Sequence, residues 1–95
     1  MEEILSKCDE VSQILKSLSH PVRLKVLCQV LESEKTVNEL TEFCEIQQSA
    51  MSQFLLRMKN EGLLVSRKES THVYYGLADQ KIKKLLKSVK EIYCK

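Results

Sequence analysis

Between Thr36 and Leu77 the sequence passes from apolar residues at helical spacing to two short runs rich in Val and Tyr, and this ordered change limits the fold more than any single motif. Thr36 followed by Glu39 is a capping-box pattern, which predicts a short helix over Val37–Cys44. A tight connection, Glu45-Ile46-Gln47, leads into a second helix from Gln48 to about Asn60, with Met51, Phe54, Leu55 and Met58 on its inner face. Gly62 stands where a left-handed helix terminator belongs. Leu64–Glu69 and Val73–Leu77, rich in Val and Tyr and separated by a polar turn, read as two strands. Two short helices on a three-residue turn, followed by a two-stranded ribbon, describe a winged helix-turn-helix.

The flanks complete this plan. Ile4, Cys8, Val11, Leu15 and Leu18 form a helical stripe, with Glu2, Glu3, Asp9, Glu10 and Lys16 mostly off it. Ser19-His20-Pro21 breaks and restarts the chain, with Ser19 as the expected cap and Pro21 in the first turn. The next helix shows Leu24, Leu27, Cys28 and Leu31 on one face, and Asp79 caps a last helix carrying Ile82, Leu85, Leu86, Val89, Ile92 and Tyr93. The expected fold is mainly α: five helices and a two-stranded β-hairpin wing, in a single domain over residues 1–95. A chain this short buries a modest fraction of its surface, which makes a homodimer a natural source of extra core, and the long stripes on both terminal helices are consistent with one.

Composition narrows the class. Hydrophobic residues make up 43% of the 95, with two Gly and one Pro, which fits a folded helical chain. A net charge of +2 identifies no nucleic-acid binder. Lys81, Lys83, Lys84, Lys87, Lys90 and Lys95 crowd the last segment, most simply as a solvated face that steers DNA from a distance. No apolar run approaches the ~20 residues of a membrane span. The acidic start is unlike a secretory signal, so the expected compartment is the cytoplasm, without membrane attachment. The four cysteines are then better read as buried, metal-binding or redox-active thiols than as a disulfide scaffold. No phosphate-cradling Gly loop, metal-hydrolase signature or thiol–base motif is present, which argues against an enzyme.

The helix from Gln48 has the two faces that a DNA-reading helix requires. Gln48, Ser49, Ser52, Gln53, Arg57 and Asn60 fall away from its apolar stripe. Gln can bond adenine with two hydrogen bonds, Ser can meet bases or phosphates, and Arg can neutralise phosphate or read guanine. Arg67, Lys68 and His72 are placed in the wing for phosphate or minor-groove contact. Any exposed helix carries polar residues; the wing behind this one turns the reading towards double-stranded DNA.

Leu18-Ser19-His20-Pro21-Val22-Arg23-Leu24-Lys25-Val26-Leu27 resembles the opening of the ArsR/SmtB family of bacterial repressors. Gln48-Ser49-Ala50-Met51-Ser52-Gln53, Glu61-Gly62-Leu63-Leu64, Arg67-Lys68-Glu69 and Val73-Tyr74-Tyr75 are similar to its recognition helix and wing. The likeness runs from about Ile4 to Cys94. It implies a homodimer whose terminal helices pack across a twofold axis and whose recognition helices read an inverted repeat. Two departures stand out: Phe54 replaces a His that many relatives carry, and Gln47 is a weaker cap than the usual Ser or Thr.

The family's usual metal sites are missing. Cys44 has no Cys-x-Cys partner, and residues 79–95 contain no His, whereas a tight site needs three or four donors. No metal and no cofactor are expected. Cys28 and Cys94 instead resemble the cysteine pair of the sulfur-responsive HlyU/BigR/SqrR branch, which implies that persulfides or polysulfides link the two thiols and lower DNA affinity. Lys90 and Lys95 would favour a Cys94 thiolate. The plainer readings are a core thiol for Cys28, a frayed terminus for Cys94, a dimer-seam residue for Cys8, packing for Cys44 and a helix start for His20. An atypical thiol metal site, a general thiol–disulfide switch and a thiol carrier that never reads DNA stay open.

Overall fold

The computed structural model describes residues 1–94. Lys95 therefore lies outside the described residues, and with it its expected influence on Cys94. The elements are α1 (Glu2–Ser6), α2 (Cys8–Leu18), α3 (Pro21–Glu32), β1 (Lys35–Thr36), α4 (Val37–Cys44), α5 (Gln48–Asn60), β2 (Leu64–Glu69), β3 (His72–Leu77) and α6 (Gln80–Tyr93). This is a winged helix, with two differences of count. The expected first helix is two helices, because Lys7 (φ −105°, ψ 1°) leaves the helical geometry. Ser6 Oγ donates to the Glu3 carbonyl at 2.7 Å and Cys8 Sγ to the Ile4 carbonyl at 3.3 Å, drawing off acceptors at the break. The wing sheet has three strands, not two, in the order β1-β3-β2. Lys35 pairs with Tyr75 and Thr36 with Tyr74, so the start of the helix-turn-helix is stitched to the wing.

Caps fix the helix ends. Thr36 accepts from the Glu39 N–H at 3.2 Å while Glu39 Oε1 accepts from the Thr36 N–H at 2.9 Å, completing the expected box. The α3 cap is His20 rather than Ser19. His20 is extended, as the residue before Pro21 must be, and its Nδ1 accepts from the Val22 N–H at 3.1 Å. Ser19 closes α2 instead, donating to the Lys16 carbonyl at 2.8 Å. Glu45 (φ 55°) makes the turn between α4 and α5, and Gly62 (φ 81°) the turn from α5 into β2.

The core gathers Leu18, Val26, Leu27, Val30, Leu40, Cys44, Met51, Leu55, Met58, Leu63, Leu64, Ile82 and Leu86. The buried face of α3 is thus Val26, Leu27 and Val30; Leu24 and Leu31 are half-buried and Cys28 is exposed. The expected face was turned because α3 is packed by α2, α4, α6 and β3 together and has no single inner stripe. Arg23 of α3 donates two hydrogen bonds to Glu61 at the end of α5, and Ser17 of α2 a third at 3.2 Å. The guanidinium holds the Glu61 carboxyl below its ordinary value of 4.5. On the other side, Lys59 Nζ donates to Ser66 Oγ of β2 at 2.7 Å, so the end of α5 is anchored twice.

Two stability measurements test these anchors. Thr36→Ala removes the box and is expected to cost about 1 kcal/mol in urea unfolding. Because the folded pKa of Glu61 is depressed, its contribution is complete above pH 4.5 and is lost as pH falls through the lower folded value. Glu61→Gln should lower stability at neutral pH and flatten that acid limb; an unaltered limb would place the acid sensitivity elsewhere.

Candidate nucleic-acid interface and thiol recess

Met51, Leu55 and Met58 bury one side of α5 against the core. Gln48, Ser49, Ser52, Gln53 and Arg57 are all exposed on the remaining surface, as a reading helix requires. Phe54 is half-buried, its ring 5.1 Å from that of His20, so it helps seat α5 on the start of α3. Gln47, the N-cap of α5, makes no side-chain capping bond.

A recess of about 200 Å³ joins Gln48 to the starts of α4 and β3, lined by Thr36, Val37, Asn38, Thr71, His72 and Val73. It brings His72 of the wing to the head of the reading helix. Asn38 and Thr71 were not singled out from the sequence. The β1–β3 pairing and the packing of α4 on β3 draw them together, and a two-residue strand leaves little trace in the residue pattern. Lys68 is exposed in β2. Arg67 is placed differently from Lys68: it is engaged by Glu34 and Glu69 and lies over the Tyr74 ring at 4.8 Å.

On another side of α3, Cys28 and Cys94 line one recess of about 200 Å³. Leu31, Leu86 and Val89 form its apolar wall, with Glu32 and Lys90 beside them. Both are free thiols. Cys94 is the C-cap of α6 and exposed, so it sits just past the helix rather than along its side. Desolvation against the wall raises the Cys28 pKa above the ordinary 9.0; the Cys94 and Glu32 charges raise it further, and Lys90 opposes them. A charge on one thiol is thus felt by the other. Cys44 is buried in the core, where desolvation raises its pKa too, and Cys8 is exposed on α2. Among the described residues, no three His, Cys, Asp or Glu side chains stand where they could hold a metal. None of the described helices is long and apolar enough to cross a membrane.

A reading helix seated on a helical core beside an antiparallel wing defines a winged helix-turn-helix protein. Comparison with known proteins narrows the class. The family model for "Bacterial regulatory protein, arsR family" matches residues 20–66. The transcriptional activator HlyU of Vibrio cholerae is 32% identical over 94 residues, covering 99% of this chain and 87% of that protein. The biofilm growth-associated repressor of Xylella fastidiosa is 33% identical over 93 residues, covering 98% and 82%. Among solved structures, reduced HlyU from V. cholerae superposes with a TM-score of 0.89 at 32% identity, covering 100% of both chains. The X. fastidiosa repressor BigR gives 0.90 at 33% identity, covering 99% of this chain and 96% of that one. The chain belongs to the ArsR family; it is a DNA-binding transcriptional regulator and not an enzyme.

The recess makes a chemical prediction. Under native conditions an alkylating reagent is expected to label Cys8, Cys28 and Cys94 and to spare Cys44 until denaturant is added. The Cys28 rate should reach half its maximum above pH 9.0, since the thiolate is the reactive form and its pKa is raised. That midpoint should fall in Cys94→Ser, which removes a charge that raises it. Peptide mass spectrometry against pH reads both.

Proposed function

We propose that this chain is a cytoplasmic, homodimeric regulator that releases an inverted-repeat operator when persulfides or polysulfides link Cys28 to Cys94. The observation that carries this reading is the shared recess, which pairs two free thiols from α3 and α6 in a largely apolar setting. The whole chain, residues 1–95, acts as one DNA-binding and dimerisation unit. Gln48, Ser49, Ser52, Gln53 and Arg57 read the major groove, and the wing meets the backbone through Lys68 and His72. A related solved structure, at 24% identity, is described as a homodimeric winged helix-turn-helix DNA-binding domain. The exposed apolar residues Ile4, Val11, Leu15 and Ile92 on the terminal helices supply the seam for such pairing here.

The chemistry balances with a polysulfide RS–S–S–SR as oxidant. The Cys94 thiolate attacks an inner sulfur and expels RSS⁻, leaving Cys94–S–S–SR. The Cys28 thiolate then attacks the middle sulfur and expels RS⁻, closing a Cys94–S–S–S–Cys28 bridge. Two thiols are oxidised as one tetrasulfide is reduced. Cys94, exposed at the helix end, takes the first step. Cys28, whose pKa is raised by its surroundings, reacts second through its thiolate fraction, its proton passing to the expelled RS⁻, and proximity offsets the small share of thiolate.

Intact-mass spectrometry after glutathione persulfide or polysulfide treatment, beside a peroxide control, is the first test. The expected product carries inserted sulfur bridging Cys28 and Cys94, with peroxide giving little. Cys28→Ser should stop at a linear adduct on Cys94, and Cys94→Ser should keep DNA binding while losing the sulfur response. A Cys94→Ser protein that still releases DNA would show the pairing to be wrong. For the reading helix, Arg57→Ala and Gln53→Ala should each weaken operator binding about ten-fold or more without unfolding the protein; unchanged affinity in both would move the reading surface elsewhere.

A further inference from the structure

Arg67 has the composition of a phosphate contact and the surroundings of something else. Its Nε donates to both oxygens of Glu34, at 2.9 and 3.1 Å, and its second terminal nitrogen lies 2.9 Å from Glu34 Oε1. The remaining terminal nitrogen donates to Glu69 at 2.7 Å, and Tyr74 covers one face of the plane. One positive charge is set against two negative ones, so an approaching phosphate meets a net negative cluster.

Glu34 is fixed in turn. The next residue, Lys35, folds back to the Gln29 and Ser33 carbonyls, both at 3.3 Å, and to Ser33 Oγ at 2.6 Å, closing the C-terminal end of α3. Its backbone is paired with Tyr75 in the sheet. The Glu34 stem also passes over the buried Gly76 of β3, 3.5 Å from where a Cβ would stand. Lys68, the next residue after Arg67, points to the opposite side of the strand. Among the described residues it has no carboxylate within ion-pair distance.

We infer that Arg67 is not a DNA contact but a positioning residue, which pins the wing to the end of α3 through Glu34 and leaves phosphate binding in the wing to its neighbour Lys68. The inference rests on the reading that the wing meets DNA, and it assigns the work within the wing. Arg67 joins β2 to the α3–β1 connection across a sequence distance that no backbone pairing spans, since β1 bonds only to β3. It thereby sets the angle at which Lys68 and His72 face the duplex.

The test is the salt dependence of binding to a labelled 25-base-pair duplex, recovered from a random pool by the wild-type protein. Each phosphate contact contributes about 0.9 to the slope of log K against log salt. Lys68→Gln is expected to reduce the slope by about 0.9. Arg67→Gln and Glu34→Gln should each weaken binding by about two- to five-fold, the scale of one exposed ion pair, with the slope kept. The double variant should be no weaker than either single one, and hydrogen exchange over residues 64–77 should quicken in all three. If Arg67→Gln takes about 0.9 from the slope while Glu34→Gln tightens binding, Arg67 touches phosphate and the inference is overturned. It is also overturned if Arg67→Gln changes neither affinity nor wing exchange. A wild-type protein that selects no duplex would sink the DNA-contact reading itself, and this assignment with it.

Discussion

Val26, Leu27 and Val30 are almost wholly removed from water, and through them α3 is held by four neighbouring elements at once. Each such side chain contributes roughly 1.5–3 kcal/mol by burial. So α3 is the fixed member against which the other parts are set. Its N-terminal end carries Arg23 and His20, which hold the C-terminal end and the middle of the reading helix through Glu61 and Phe54. Its C-terminal end carries Glu34, just past the helix, which meets the wing. Cys28 occupies what circumference remains and faces α6. One helix therefore positions the reading helix, the wing and the thiol recess, and none of the three is far from a rigid support.

Much of this was written in local pattern. The capping box at Thr36, the glycine turn at Gly62, the Asp79 cap and the amphipathic face of α5 depend on residues a few positions apart, and they appeared where the sequence placed them. The misplacements came from longer-range causes. A helix packed on several sides has no single apolar stripe, so the Leu24/Leu27/Cys28/Leu31 face was a poor guide to the burial of α3. The break at Lys7 is flanked by side chains that bond back to carbonyls, Ser6 to Glu3 and Cys8 to Ile4, which a periodic pattern does not register. Strand β1 is two residues long, and only its pairing with β3 makes it a strand. The exposed polar face of α5 was legible because exposure follows from period. The state of Arg67 was not, because it depends on Glu34, separated from it by 33 residues.

Much of the apolar surface left uncovered lies at the two ends of the chain, with Phe43, Leu56 and Val65 the exceptions. Ile4, Leu5, Val11 and Leu15 on α1 and α2, and Ile92 and Tyr93 on α6, are between 41% and 80% exposed. Residues of this kind scattered singly need no explanation, but here they cluster at helical spacing on α1, which buries no side chain, on α2, which buries only Leu18, and on the last turns of α6. A second copy is the occupant the proposed function calls for. It would bury the stripes and fix the distance between two reading helices, which must match about one turn of duplex for both half-sites to be filled.

That geometry indicates how a bridge in the recess would reach DNA. Ile82 and Leu86, in the first half of α6, belong to the core and resist movement. Val89 is half-buried, and Ile92, Tyr93 and Cys94 are exposed, so a shift of the last turns would uncover little buried surface. Drawing Cys94 towards Cys28 would move those turns while the reading helix, clamped by Arg23 and Lys59, kept its place within its own protomer. The moving turns carry the side chains that the proposed second copy would cover. A sulfur bridge would then act on the relation between protomers rather than on the reading surface. Two intact reading helices at the wrong separation release an inverted repeat as effectively as two damaged ones.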